Sequence, residues 1–288
     1  MNAADAIEAM LETALSGADA ESPRKLAAAM RYAVFPGGAR VRPKLCLSVS
    51  WACGVDDQRT AAGAAAAIEL LHCASLVHDD MPCFDDAETR RGKPSVHRAF
   101  GEPLALLTGD ALIVMAFDVL ATGCQSRPLR LASLVRIVSA ATGANGGIAA
   151  GQAWECEPQI DLSRYHRAKT GALFSAATMA GAASAGLNYE PWRQLGECLG
   201  EAFQIADDIR DVVGDPEKLG KPVGRDEALL RPSACRELGL RGAVAKLSGL
   251  VESAVNSIPP CPRKAELGAL IRQEASQFLP AEVAELAA

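Results

Sequence analysis

A chain of 288 residues can bury a sizeable core, as one large domain or two smaller ones. Hydrophobic residues make up 49% of it and alanine dominates many stretches, which favours closely packed helices over sheets. A net charge of −6 with 5% aromatics excludes a basic, base-stacking nucleic-acid surface, so an anionic ligand would need metal ions and a local basic patch.

Helical periodicity covers residues 4–15 and 23–34, the second opening with Ser22 as cap and Pro23 at the first position. The N-terminal segment is acidic and lacks the basic and apolar regions of a secretory leader. No charge-free run reaches the ~18 residues of a membrane span. Nine cysteines without a CxxC pair read as reduced thiols of a cytoplasmic protein. The turn FPGGARVRP follows. Gly37 and Gly38 let backbone approach a ligand closely, and Arg40 and Arg42 can meet phosphate or simply face solvent.

Helices are expected over 43–52 and 60–78. The second is apolar on every side and therefore buried, so it delivers Asp79 and Asp80 into the interior, with His72 about two turns earlier near the same face. Residues 76–97 read LVHDDMPCFDDAETRRGKPSVH, with a second aspartate pair at Asp85 and Asp86 and an arginine pair at Arg90 and Arg91. Clustered carboxylates repel unless a cation sits between them. Hard divalent cations, Mg²⁺ above all, take oxygen ligands and share them with phosphate, and arginines fit phosphate bidentately. The alternative is a solvated acidic loop with a basic turn.

Further helices are expected over 104–122, where Asp110 is read as a satisfied buried acid, and over 127–141. In GIAAGQAWECE, Gln152 and Glu155 interrupt an apolar segment and can hold water or ligand. Lys169 and Thr170 lie where the helix over 172–186 begins or bends, a place suited to phosphate. The helix over 191–212 carries Asp207 and Asp211, four apart on one face, with Asp208 beside them. The loop GDPEKLGKPVGRD adds Lys218, Lys221 and Arg225 and reads as a basic lid. The rest reads as three or four short helices broken at Pro232, Pro259-Pro260 and Pro280. Strand signals and nucleotide-binding glycine motifs are absent, so the expectation is an all-α chain forming one domain over 1–288.

Two acidic clusters, each ending a buried helix and facing each other across a bundle, would hold several Mg²⁺ ions around one diphosphate and promote its departure from carbon. Apolar helix walls would enclose a hydrocarbon tail. At these residues the chain resembles the trans-isoprenyl diphosphate synthases, most of all the bacterial geranylgeranyl type of carotenoid and bacteriochlorophyll pathways. LVHDDMPCFDDAETRRGKP is similar to their first aspartate-rich motif with its two-residue insertion, and FQIADDIRDVVGDPEKLGKPVGRD to their second. The GGxRxRP turn, GEPLALLTGDA and Lys169-Thr170-Gly171 match in order, and the likeness runs from about residue 25 to about 270.

The resemblance implies an isoprenoid-synthase helical bundle with a deep central cavity, a homodimer, and head-to-tail condensation of isopentenyl diphosphate with dimethylallyl, geranyl or farnesyl diphosphate. It implies three Mg²⁺ ions per site, replaceable by Mn²⁺. Asp79 and Asp85 would be the principal ligands with Asp80 assisting, and Asp207 and Asp211 would hold a further ion with Asp208 nearby. Arg90, Lys169, Thr170, Gln204 and Lys221 would hold the allylic diphosphate. Gly38, Arg42, His72 and Arg91 would hold isopentenyl diphosphate. Two departures stand out: Ala39 occupies a position where the family usually has lysine, so one contact is missing or comes from Arg40, and LLRPSA replaces a common segment at 229–234. Ala74 and Ser75 lie five and four residues before Asp79, roughly 6–7.5 Å down the helix. An aromatic there would floor the pocket at a C15 product, whereas alanine and serine leave room for C20. The alternatives are a farnesyl diphosphate synthase, a terpene cyclase, or a non-catalytic regulatory subunit of a prenyl synthase.

Overall fold

The computed structural model describes residues 3–35, 38–159, 161–213 and 233–278, and most of them are helical. α1 (Ala3–Glu21) outruns its expected span and sets Ile7, Leu11 and Leu15 on one buried face. α2 (Arg24–Val34) and α3 (Val41–Ala52) follow close to expectation. α4 (Gln58–Asp79) starts at Asp57, whose carboxylate accepts the Arg59 N–H at 3.1 Å.

Beyond α4, β1 (Thr89–Arg90) and β2 (Lys93–Pro94) pair antiparallel with Arg90 opposite Lys93. This small hairpin was not expected. Its two-residue turn, Arg91-Gly92, has positive φ at both positions (54° and 75°), the twist that suits a tight hairpin. The chain then runs through α5 (Val96–Phe100), α6 (Glu102–Gly123), α7 (Pro128–Thr142) and α8 (Ile148–Ala153). α9 (Leu162–His166) leads by a single π-helical turn, Arg167–Gly171, into α10 (Ala172–Ser184), and α11 (Arg193–Val213) comes next. α12 (Ala234–Asn256), kinked at Gly239, and α13 (Lys264–Ser276) flank the expected break at Pro259-Pro260. Pro232 and Pro280 lie outside the described residues.

The bundle is built around α4. Ala64, Ala65, Ala66 and Ala67 are almost wholly buried, and their short side chains let α3, α6 and α10 pack against it. α10 is buried along its whole length. α11 leans on α12 through a second apolar cluster that includes Ile205, Ile209, Val244 and Leu247. By length and composition α4 and α6 could each cross a membrane. α4 is a core helix, with 72% of its apolar window buried. α6 has only 33% buried, and Leu106, Leu107 and Val114 face outwards. Asp110, expected inside, is exposed on that same helix, 3.8 Å from His78.

Candidate active site

α4 ends at Asp79, and the chain folds back so that the Asp85 N–H donates to the Asp79 carbonyl at 3.0 Å. That return brings the first residues of the two aspartate pairs together. A third carboxylate joins them from a 3₁₀ turn after α8: one oxygen each from Asp79, Asp85 and Glu155 lie within 4.8 Å of one another. Three half-buried carboxylates at that spacing form an all-oxygen donor set, which fits Mg²⁺ and suits no soft metal.

Lys169 bridges this group. Its Nζ lies 3.1 Å from Asp79 and 2.6 Å from Glu155, which also accepts from the Tyr165 hydroxyl at 2.6 Å and from the Gln152 amide at 3.2 Å. Burial works against the ammonium, but the charges of Asp79 and Glu155 outweigh it and hold the Lys169 pKa above the ordinary lysine value. Lys169 reaches the carboxylates because α8 crosses the π turn at Gly151, where a Cβ would come within 2.6 Å of the Lys169 backbone nitrogen. π turns inside helices are frequent at functional sites.

The other members of the two pairs do different work. Asp80 is buried and holds Arg90: the guanidinium Nε lies 3.0 Å and 3.1 Å from its two oxygens, and a second nitrogen completes the fork. Burial pushes the Asp80 pKa up even against that arginine. Asp86 is exposed and paired with Arg98 at 3.1 Å and His97 at 3.5 Å.

On α11, Asp208 is nearly buried and accepts the Ala234 N–H at 2.8 Å, fixing the start of α12. Its other oxygen accepts from Gln204 at 3.1 Å, and Gln204 in turn accepts the Thr170 hydroxyl at 3.0 Å. This relay ties α11 to the π turn and fixes the amide of Gln204. Asp207 lies 3.4 Å from Arg210, and Asp207 and Asp211 share a half-buried face. They stand outside the close trio of Asp79, Asp85 and Glu155.

Arg42 lies over the rings of Phe174 and Phe203, at 4.7 Å and 5.7 Å from their centroids, with its Nη1 3.4 Å from His72 Nε2. Burial lowers the Arg42 pKa to about 10, so it remains charged at neutral pH. Burial, reinforced by Arg42 and Arg91, holds His72 well below its ordinary value, leaving a neutral ring that accepts from Arg42.

An acid trio, a bridging lysine and a partnered Thr-Gln relay thus meet around the π turn. Residues 23–256 match the Polyprenyl synthetase family. The chain belongs to that family. It is 56% identical over 279 residues to the geranylgeranyl diphosphate synthase of Cereibacter sphaeroides, covering 96% of this chain and 97% of that protein. It is 50% identical over 274 residues to the geranylgeranyl diphosphate synthase of Rhodobacter capsulatus, covering 95% of each. The farnesyl diphosphate synthase of Geobacillus stearothermophilus is 40% identical, over 85% of this chain and 86% of that one. Among solved structures, an FPP/GFPP synthase from Zymomonas mobilis superposes with a TM-score of 0.73 at 32% identity, covering 94% of this chain and 99% of the other.

Against this polyprenyl synthetase, the sequence reading needs one correction and one addition. Arg40 is 4% exposed, is paired with Glu69 at 2.6 Å and Glu8 at 2.8 Å, and donates to the Val34 carbonyl at 2.8 Å. It is a clamp between α1, α2 and α4. Glu155 is the addition. Its signal was present, a polar interruption in an apolar segment, but nothing local pointed it at Asp79. Lys218, Lys221, Arg225 and 229–232 fall outside the described residues. Ala74 is buried in the main core, and the Ser75 hydroxyl bonds the His72 carbonyl at 2.8 Å. A cleft of about 1160 Å³ runs along α10 between Ala141, Ala176 and Met179 and meets the site at Gly171, Gln204 and Asp208. Neither Ala74 nor Ser75 lines it.

Proposed function

We propose that this polyprenyl synthetase is a cytoplasmic, Mg²⁺-dependent geranylgeranyl diphosphate synthase that extends allylic diphosphates with isopentenyl diphosphate. The observation that carries the reading is the Asp79–Asp85–Glu155 trio held beside Lys169. The high identity to synthases of that name supports the C20 product, which carotenoid-type metabolism would consume.

Asp79, Asp85 and Glu155 would hold Mg²⁺, with Asp207 and Asp211 contributing from α11; three ions and replacement by Mn²⁺ belong to this reading. When bound, the metal neutralises charge on the departing diphosphate. Arg90, pre-set by Asp80, and Lys169, Thr170 and Gln204 hold the allylic diphosphate, joined by Lys221. Gly38, Arg42, His72 and Arg91 receive isopentenyl diphosphate. The allylic C–O bond breaks with its electron pair leaving on diphosphate, the isopentenyl double bond attacks the allylic carbon, and the proton lost goes to the released diphosphate. The chain's own residues keep both diphosphates fixed and neutral His72 takes no part in the proton transfer.

Product analysis tests this directly. With Mg²⁺, isopentenyl diphosphate and dimethylallyl, geranyl or farnesyl diphosphate, the purified protein is expected to make C20. Ala74→Tyr is expected to shift the main product to C15 with the first condensation retained. C15 from the unaltered protein would make it a farnesyl diphosphate synthase, and no condensation from any primer would leave a regulatory subunit.

A homodimer is part of the same reading, and α6 supports it. Leu107 is 50% and Val114 69% exposed on a largely apolar helix, an outward face that a second copy would cover. Val114→Glu is expected to give a monomer in light scattering where the unaltered chain gives twice the mass. A monomeric unaltered chain would refute it.

A further inference from the structure

Cations around the site divide according to what neutralises them. Arg90 is met by Asp80, Lys169 by Asp79 and Glu155, and Arg40 by Glu8 and Glu69. Beside them, Arg42, Arg91 and Lys93 form no ion pair with a carboxylate among the described residues. Arg42 has, in addition, a buried Nε without a hydrogen-bond partner. Half-buried cations left without counter-charge are costly unless an anion arrives.

Lys93 lies by Phe35 just beyond α2, Arg91 lies by Gly38, and the Arg91 charge is felt at Arg42. Lys93 Nζ reaches the Phe35 carbonyl at 3.4 Å and lies 5.0 Å from the Tyr32 ring centroid. A Cβ on Gly38 would come within 3.1 Å of the Arg91 guanidinium. Lys93 is the cross-strand partner of Arg90, so the two side chains stand on one face of the hairpin, and both line a small pocket with Arg91, Tyr32 and Asp80. Arg91 is held there by a left-handed backbone, φ 54°, a conformation that costs a non-glycine residue energy and recurs at binding sites. Ala39, next to Gly38 in the chain, carries only a methyl.

We propose that Lys93 is a diphosphate-binding residue of the isopentenyl subsite, supplying with Arg42 and Arg91 the third positive charge that Ala39 does not. It rests on the reading of the chain as a condensing synthase with two diphosphate subsites. The long bond to a single carbonyl leaves the ammonium two further N–H groups for phosphate oxygens. Metal carboxylates face the other diphosphate, so the two subsites separate by chemistry: metal and Lys169 for the leaving diphosphate, bare cations for the one that is retained. Lys93 selects between substrates by holding only the second.

Steady-state kinetics of Lys93→Gln, Ala39→Lys and the double variant test it, each diphosphate being varied while the other saturates. Lys93→Gln is expected to raise KM for isopentenyl diphosphate about tenfold, the worth of one charge-assisted hydrogen bond, and to leave KM for geranyl diphosphate within about twofold. Ala39→Lys in the Lys93→Gln background is expected to recover most of that loss, which a merely structural lysine would not allow. An unchanged KM for isopentenyl diphosphate, an equal rise for both substrates, or no recovery in the double variant overturns the proposal. An unaltered chain that fails to condense the two diphosphates overturns it together with the function beneath it.

Discussion

Asp79→Asn is expected to lower the condensation rate about a thousandfold or more while the fold is retained. Asp79 is the residue at which the helix, the metal donor set and the bridging lysine meet: its carboxylate lies at the end of α4, contacts Lys169 at 3.1 Å and shares a donor set with Asp85 and Glu155. Replacing it with an amide keeps the shape and removes the charge. A thousandfold corresponds to about 4 kcal/mol of lost transition-state stabilisation, the scale seen when one electrostatic contact to a developing anion is removed. The apparent Mg²⁺ requirement should rise as well, so diphosphate release measured over a Mg²⁺ titration separates weaker metal binding from weaker chemistry. Asp86→Asn is the matched control. That exposed acid pairs with Arg98 and His97 and should change the rate by no more than about twofold, as expected for a surface ion pair. A rate for Asp79→Asn within tenfold of the unaltered enzyme would remove Asp79 from the metal site, and a large loss for Asp86→Asn would show that both pairs act as one cluster.

The contrast between those aspartates shows how far a linear sequence can be read. That acids end a buried helix is visible from the apolar run before Asp79, and so is the pairing of Asp207 with Asp211 by helical spacing. Which member of each aspartate pair joins the carboxylate trio is settled by three-dimensional neighbours. Asp80 turns inward to Arg90 because the hairpin folds back over it, and the hairpin depends on an Arg-Gly turn with positive φ at an arginine, which no strand pattern announces. Glu155 lies far along the chain from Asp79, on a short turn whose position is set by Gly151 meeting the Lys169 backbone. The main helices were legible because alanine content and apolar periodicity are local properties. Short elements such as α5, α8 and α9 were not, since at five or six residues each they gain little from local propensity and form through tertiary packing. Arg40 was misassigned for a related reason. Its place in a glycine turn beside Arg42 suggested phosphate, while the opposing clue, a lone Glu69 inside the apolar α4, implies a buried partner without naming it.

That clue carries the second large expectation, on stability. Arg40→Ala should destabilise the fold by about 3–5 kcal/mol, because it strands the Glu69 carboxylate in the core. The side chains of Arg40 and Glu69 are 3% and 2% exposed, so water cannot replace the lost partner, and the Val34 carbonyl that ends α2 loses its donor as well. For a chain of this size the midpoint of thermal unfolding should fall by roughly 6–10 °C. Burial opposes the Arg40 charge, but Glu8 and Glu69 raise its pKa above the ordinary arginine value, so the guanidinium stays charged throughout the neutral range. Replacing both members with apolar residues, Arg40→Met with Glu69→Leu, should recover much of the loss, since buried pairs exchanged whole for packed hydrophobic groups are often neutral. Glu8 is half exposed and can be left to solvent. Melting curves of the single and double variants measure the pair directly, and KM for isopentenyl diphosphate in the double variant tells whether Arg40 also touches substrate. An unchanged melting midpoint in Arg40→Ala together with a raised KM would move Arg40 from the clamp into the substrate site.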